Sequence, residues 1–168
     1  MTIIPHHGVA PNIHPTVFIA DGARIIGEVE IGEDAGIWYN VTLRGDINRI
    51  VIGPRTNVQD GAVFHVTKQY PAIVHNDVTV GHGAIVHACT VEECCLIGMG
   101  SVVLDGARIG KYSLVAAGAV VKENFVVPEG SLVAGVPARV MRPLDDGERL
   151  RLRQSALDYV EFARSLQR

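Results

Sequence analysis

Aliphatic side chains recur every six residues along most of this chain. Ile25, Ile31, Ile37 and Leu43 form one series; Ile52, Val58 and Phe64 a second; Val74, Val80 and Val86 a third; Val91, Ile97, Val103, Ile109, Val115 and Val121 a fourth. Four positions after the anchors stands a small or β-branched residue: Val29, Ala35, Val41, Ile47, Thr56, Ala62, Val78, Ala84, Thr90, Cys95, Ser101, Ala107, Ser113, Ala119. Lys68 and Phe125 depart from this, where the run is interrupted or ends. A six-residue period matches neither the helical 3.6 nor simple strand alternation. It predicts a short strand plus a corner, three units closing a coil of about 18 residues. Anchors point inward, and coils stack at the ~4.8 Å strand spacing. Sandwich strands do not hold one phase for so long. The pattern therefore predicts an all-β solenoid, a parallel β-helix of hexapeptide repeats, over about residues 12–143.

The chain then changes character. Val127-Pro128-Glu129-Gly130 and Gly135-Val136-Pro137 punctuate the last coil. A helix is predicted over about 145–167, with Asp145 and Glu148 spaced as a capping box. Leu150, Leu157, Val160, Ala163 and Leu166, with Ala156 and Phe162, form its expected apolar stripe. This helix caps the coils, so all 168 residues read as a single domain.

Hydrophobic residues at 48% and charged residues at 20% indicate a packed core, built from aliphatics because aromatics are only 5%. A net charge of −3 supplies no basic footprint for nucleic acid. No apolar run reaches a membrane span, and no basic segment followed by an apolar stretch opens the chain. Three cysteines, Cys89, Cys94 and Cys95, do not read as a disulfide framework, so a reducing cytoplasm is expected. Cys95 takes a small-residue slot, while Cys89 and Cys94 fall near corners.

The histidines give the chain its candidate chemistry. From Phe64 to Val74 is ten residues, six plus a four-residue insertion. With the insertion removed, His65 and His87 lie one coil apart, each directly after an anchor. They are expected side by side on adjacent coils, where two imidazoles can share an ion at ~2.1 Å from each nitrogen. His82 falls on the preceding face and completes that site only if a neighbouring chain presents it, as a threefold trimer would. Arg44 falls in the column of His65 and His87; Gln59 lies beside His82, and Asp60 shares the position of His82. Arg44 with Asp46 fits an interface pair, a ligand-orienting pair or a solvated corner pair. His6, His7, His14 and His75 lie outside the register and read as surface residues.

Arg44-Gly45-Asp46, Asn57-Val58-Gln59-Asp60-Gly61, His65, Gly81-His82-Gly83, Val86-His87-Ala88-Cys89-Thr90, Gly98-Met99-Gly100-Ser101 and Gly135-Val136-Pro137-Ala138 together resemble the γ-class carbonic anhydrases, over about residues 12–165. The resemblance implies a left-handed coil and a homotrimer, with His65 and His87 from one subunit and His82 from its neighbour. It implies Zn2+ as the ion, with Fe2+ or Co2+ as alternatives, and hydration of CO2 to bicarbonate by a metal-bound hydroxide. It also implies catalytic positions for Gln59, Asn57 and Tyr159, an intersubunit salt bridge between Arg44 and Asp60, and Asp46 close by. Active members carry a glutamate after Arg-Gly-Asp and an acidic loop after the first histidine. Here Ile47 and Val66-Thr67-Lys68-Gln69-Tyr70-Pro71 stand instead, as in a short-loop subgroup, and no carboxylate proton shuttle remains. The competing functions are a metal-dependent esterase or thioesterase, a catalytically silent homologue and a hexapeptide acyltransferase. The last needs a histidine free of metal.

Overall fold

In the computed structural model, which describes residues 2–166, the chain is a left-handed parallel β-helix of about seven coils followed by one helix. Each coil has three short strands. One face stacks Phe18–Ile19, Gly36–Ile37, Asn57–Val58, Thr79–Val80, Leu96–Ile97, Leu114–Val115 and Ser131–Gly135. The other two faces belong to one sheet, joined by the long strands Arg24–Ile31 and Thr42–Ile52 that turn the corner between them. A strand at Thr2–Ile4 pairs with Arg24–Ile26, ahead of the expected start near residue 12.

The anchors fill the interior. Val91, Ile97, Val103, Ile109, Val115, Val121 and Val127 are each no more than 1% exposed. At full side-chain burial each contributes about 1.5–3 kcal/mol. The small residues sit at the corners because the coil turns there with little room. One corner stacks Asp34, Arg55, Asp77, Cys94 and Tyr112, all at positive φ, ending on Gly130. That conformation disfavours most side chains, and the ladder of backbone hydrogen bonds between neighbouring coils holds it.

Two features of the register differ from the sequence reading. Val29 pairs with Ile50, not with Ile47, because three extra residues bulge out after Gly45. Ile50 is buried and Ile47 is half exposed. The coil from Val74 to Val91 is one residue short, so Cys89 takes the inward slot expected for Thr90.

The helix α1 spans Asp146–Leu166. Its capping box forms as expected: Glu148 N–H donates to Asp145 Oδ1 at 2.7 Å, and Asp145 N–H donates to Glu148 Oε2 at 2.9 Å. The buried stripe is Leu152, Ala156, Val160 and Ala163. Leu150, Phe162 and Leu166 face outward instead. The helix lies one residue-step further around its axis, because Leu152 and Ala156 fit the strands Gly36–Ile37, Asn57–Val58 and Thr79–Val80. Ser155 meets Thr79 Oγ1 at 3.3 Å, and Tyr159 packs edge-on against Trp38 with ring centres 5.4 Å apart.

Candidate metal centre

The strands Val63–His65 and Ile85–His87 pair in parallel with His65 opposite His87. The four-residue insertion leaves the stack as a loop without displacing either histidine. It is tied down by Asn48, whose amide donates to Thr67 O at 2.9 Å, so the bulge after Gly45 braces the loop after His65. Leu43 pairs with Phe64, which puts Arg44 beside His65.

Each of the two imidazoles is gripped from outside. His65 Nε2 lies 3.1 Å from Asp46 Oδ1, and His87 Nδ1 lies 2.5 Å from Asp105 Oδ1. The other two nitrogens, His65 Nδ1 and His87 Nε2, face each other at 3.1 Å. With both carboxylates accepting an N–H, the facing nitrogens carry lone pairs. Two lone pairs that close need positive charge between them, a proton or a metal ion. The nitrogens of a tetrahedral ion with ~2.1 Å bonds stand about 3.4 Å apart, so the pair fits such an ion.

Burial works against the Asp46 carboxylate, but hydrogen bonds from Arg44 and His65 outweigh it and hold it below the ordinary carboxylate range. Arg44 forms its ion pair with Asp46 within the chain. Asp60 is engaged elsewhere: its Oδ2 meets His82 Nδ1 at 2.9 Å. His82 therefore repeats the pattern, with one nitrogen on a carboxylate and Nε2 available. Its side chain is 46% exposed, against 20% for His65 and 30% for His87. Among the described residues of one chain, no three His, Cys, Asp or Glu side chains gather as a metal set.

His82 stands at the edge of a groove of about 390 Å³ lined by Gln59, Thr79, Met99, Leu114, Ser155 and Tyr159, among others. Gln59 is buried, and its amide donates to Asn57 Oδ1 at 3.1 Å. Asn57 donates in turn to Thr79 Oγ1 at 3.0 Å. This polar chain fixes the Gln59 amide and reaches α1 through Ser155. Burial, reinforced by the charge of Asp60, raises the pKa of Tyr159, so its hydroxyl stays protonated.

The cysteines take no part. All three are free and buried, and burial pushes the Cys89 and Cys95 thiols up to about 12. His14 pairs with Thr16, and His75 is exposed, away from the His65–His87 pair. The sequence reading missed Asp105. It is two residues after its anchor Val103, whereas His87 is one after Val86, so the two hold different register positions although their anchors pair. Trp38 was also missed; among the described residues its buried indole N–H has no hydrogen-bond partner.

Comparison with known proteins points to one family. A family model described as bacterial transferase hexapeptide (six repeats) matches residues 88–123. "Probable carbonic anhydrase" of Methanocaldococcus jannaschii is 43% identical over 155 residues, covering 92% of this chain and 98% of that protein. "Gamma carbonic anhydrase 2, mitochondrial" of Arabidopsis thaliana is 42% identical over 160 residues, covering 92% of this chain. The chain spans only 58% of that plant protein's length. A solved structure from Bacillus cereus, given a provisional acetyltransferase name, superposes with TM-score 0.97 at 41% identity, over 98% of this chain and 96% of that one.

Proposed function

Because this chain belongs to the γ-class carbonic anhydrase family, we propose that it catalyses reversible hydration of CO2 to bicarbonate as a homotrimer. Each site then joins His65 and His87 of one subunit with His82 of a neighbouring subunit. One observation carries this reading: all three histidines have one ring nitrogen on a carboxylate, and the remaining nitrogens of His65 and His87 face each other. Such outer carboxylates orient metal-ligating imidazoles. A divalent ion such as Zn2+ held by three neutral imidazoles supplies a Lewis acid with one open position, which makes water acidic near neutral pH.

The protein's own groups do the rest. Asp46, Asp105 and Asp60 fix the ligand rings. Gln59, with its NH2 held by Asn57, keeps its carbonyl oxygen to accept a hydrogen bond and so orients the nucleophilic oxygen or bicarbonate. Tyr159 stays protonated and serves as a donor at the groove, not as a base. Arg44 lies close enough to the pair to favour the bicarbonate anion, and across the trimer interface it pairs with Asp60. Proton removal has no carboxylate behind Asp46, since Ile47 occupies that position, so it passes to buffer. The buried free thiols suit a reducing compartment.

The test is stopped-flow CO2 hydration on anaerobically prepared protein, with metal content and mass measured on the same sample. Hydration that tracks metal and rises with imidazole buffer is expected, with a trimer that His82→Ala strips of metal while leaving it folded. Full metal occupancy without hydration in any buffer overturns the reaction, and the same residues are then to be assayed on esters and thioesters.

A further inference from the structure

We infer that Asp105 is a positioning residue that fixes His87 in one tautomer, with the proton on Nδ1 and Nε2 open toward His65. The geometry and the chemistry of imidazole converge on it. The carboxylate sits 2.5 Å from His87 Nδ1, while the other ring nitrogen, Nε2, faces His65 Nδ1 at 3.1 Å. A neutral imidazole places its single proton on either nitrogen, and the hydrogen bond made by one decides what the other offers. A carboxylate accepts and cannot donate, so Asp105 selects the Nδ1–H form.

The backbone around Asp105 is held from both sides. Its carbonyl accepts from Asn124 N–H at 2.8 Å, and the next residue, Gly106, donates to Ala88 O at 2.8 Å. Gly106 has φ +66°, and a Cβ there would lie 2.4 Å from Asn124 Oδ1 and 3.3 Å from the Tyr70 ring. Glycine is needed for both the turn and the close approach. The loop after His65 thus lays Tyr70 over this corner, with the tyrosine hydroxyl donating to Asn124 Oδ1 at 3.5 Å. One loop therefore backs both halves of the histidine pair, His65 through its own strand and His87 through Asp105.

Asp105 differs from Asp46 in how it is shared. Asp46 also pairs with Arg44, so its charge is partly spent before it reaches His65. Among the described residues, Asp105 forms its ion pair with His87. His87 therefore feels the stronger carboxylate, and losing it has the larger consequence.

The decisive experiment is 15N NMR of histidine-labelled, metal-free protein, comparing wild type with Asp105→Ala and Asp105→Asn. Wild type should show His87 with the proton fixed on Nδ1. Asp105→Ala should show a mixture of tautomers. Asp105→Asn, whose amide oxygen still accepts, should recover most of the wild-type signature. An unchanged His87 tautomer in Asp105→Ala, with circular dichroism confirming the fold, overturns the role. Zinc affinity by chelator competition gives a second readout, which rests on the proposed function; a 10–100-fold loss is expected in Asp105→Ala. Wild-type protein that binds no zinc would defeat the metal reading, while the tautomer measurement would still decide on Asp105.

Discussion

The coils from Val91 to Val127 and those from Leu43 to Val91 are built from the same repeat but do different work. In the first region seven anchors follow one another at strict six-residue spacing. In the second the register is broken three times, by the bulge after Gly45, the loop after His65 and the short coil at Ala88 and Cys89. Every residue of the candidate centre except Asp105 and Tyr159 lies in the broken region. Regular coils present only a side-chain lattice on each face. A bulge or loop lets an acidic residue such as Asp46 reach sideways to a histidine on the next coil.

The contrast makes predictions that differ by region. The largest effect on folding is expected in the regular part. Ile97→Ala should lower stability by about 2–5 kcal/mol, because its neighbours above and below cannot collapse into the gap. Urea unfolding measures this, and metal content of the folded fraction should not change. His87→Ala is the converse: metal is lost, while the urea midpoint of metal-free protein moves by less than about 1 kcal/mol, since this half-exposed residue is not an anchor. Equal stability losses from the two variants would erase the distinction between lattice and site.

A smaller effect comes from the corner column. Arg55 donates to both oxygens of Asp77, at 2.6 and 2.8 Å. Burial opposes the Asp77 carboxylate, but Arg55 and Asn76 outweigh it and hold its pKa below the ordinary value. A depressed folded pKa gives stability that is present above the unfolded value and lost as pH falls through the folded one. Unfolding free energy should therefore drop below about pH 4, and Asp77→Asn should flatten that dependence. At the helix cap, Asp145→Ala should cost about 1 kcal/mol. Exposed Ile47 offers a functional counterpart: Ile47→Glu should leave the melting temperature within about 2 °C. It should also raise CO2 hydration in weak buffer if proton transfer limits the rate.

What could be read in the sequence follows the same divide. The six-residue phase locates the coils, and with the insertion subtracted it puts His65 opposite His87, as the strand pairing has it. The capping box of α1 was legible because its two residues act locally. The bulge after Gly45 was not, because Ile47 is the right type of residue for the inward slot that Ile50 fills. Asp105 escaped because it stands two residues after Val103 while His87 stands one after Val86, and register alone does not show a carboxylate reaching back to a histidine at a different position. The helix stripe was misplaced because both of its faces carry leucines, and only packing against the coils selects Leu152 over Leu150. The Arg44–Asp60 pairing that the resemblance implies is not made within one chain, where Arg44 pairs with Asp46 and Asp60 with His82.

The way the coil stack stops has a consequence for self-association. Its last parallel strand, Ser131–Gly135, is covered by Ala138–Pro143, which returns antiparallel to it. A stack of identical parallel rungs is otherwise a template on which further chains could add without limit, as in a fibril. The reversed strand offers an incoming rung the wrong direction, and helix α1 begins immediately after it. On this face of the stack, growth along the axis meets a strand of the wrong direction, which favours association of copies through their sides.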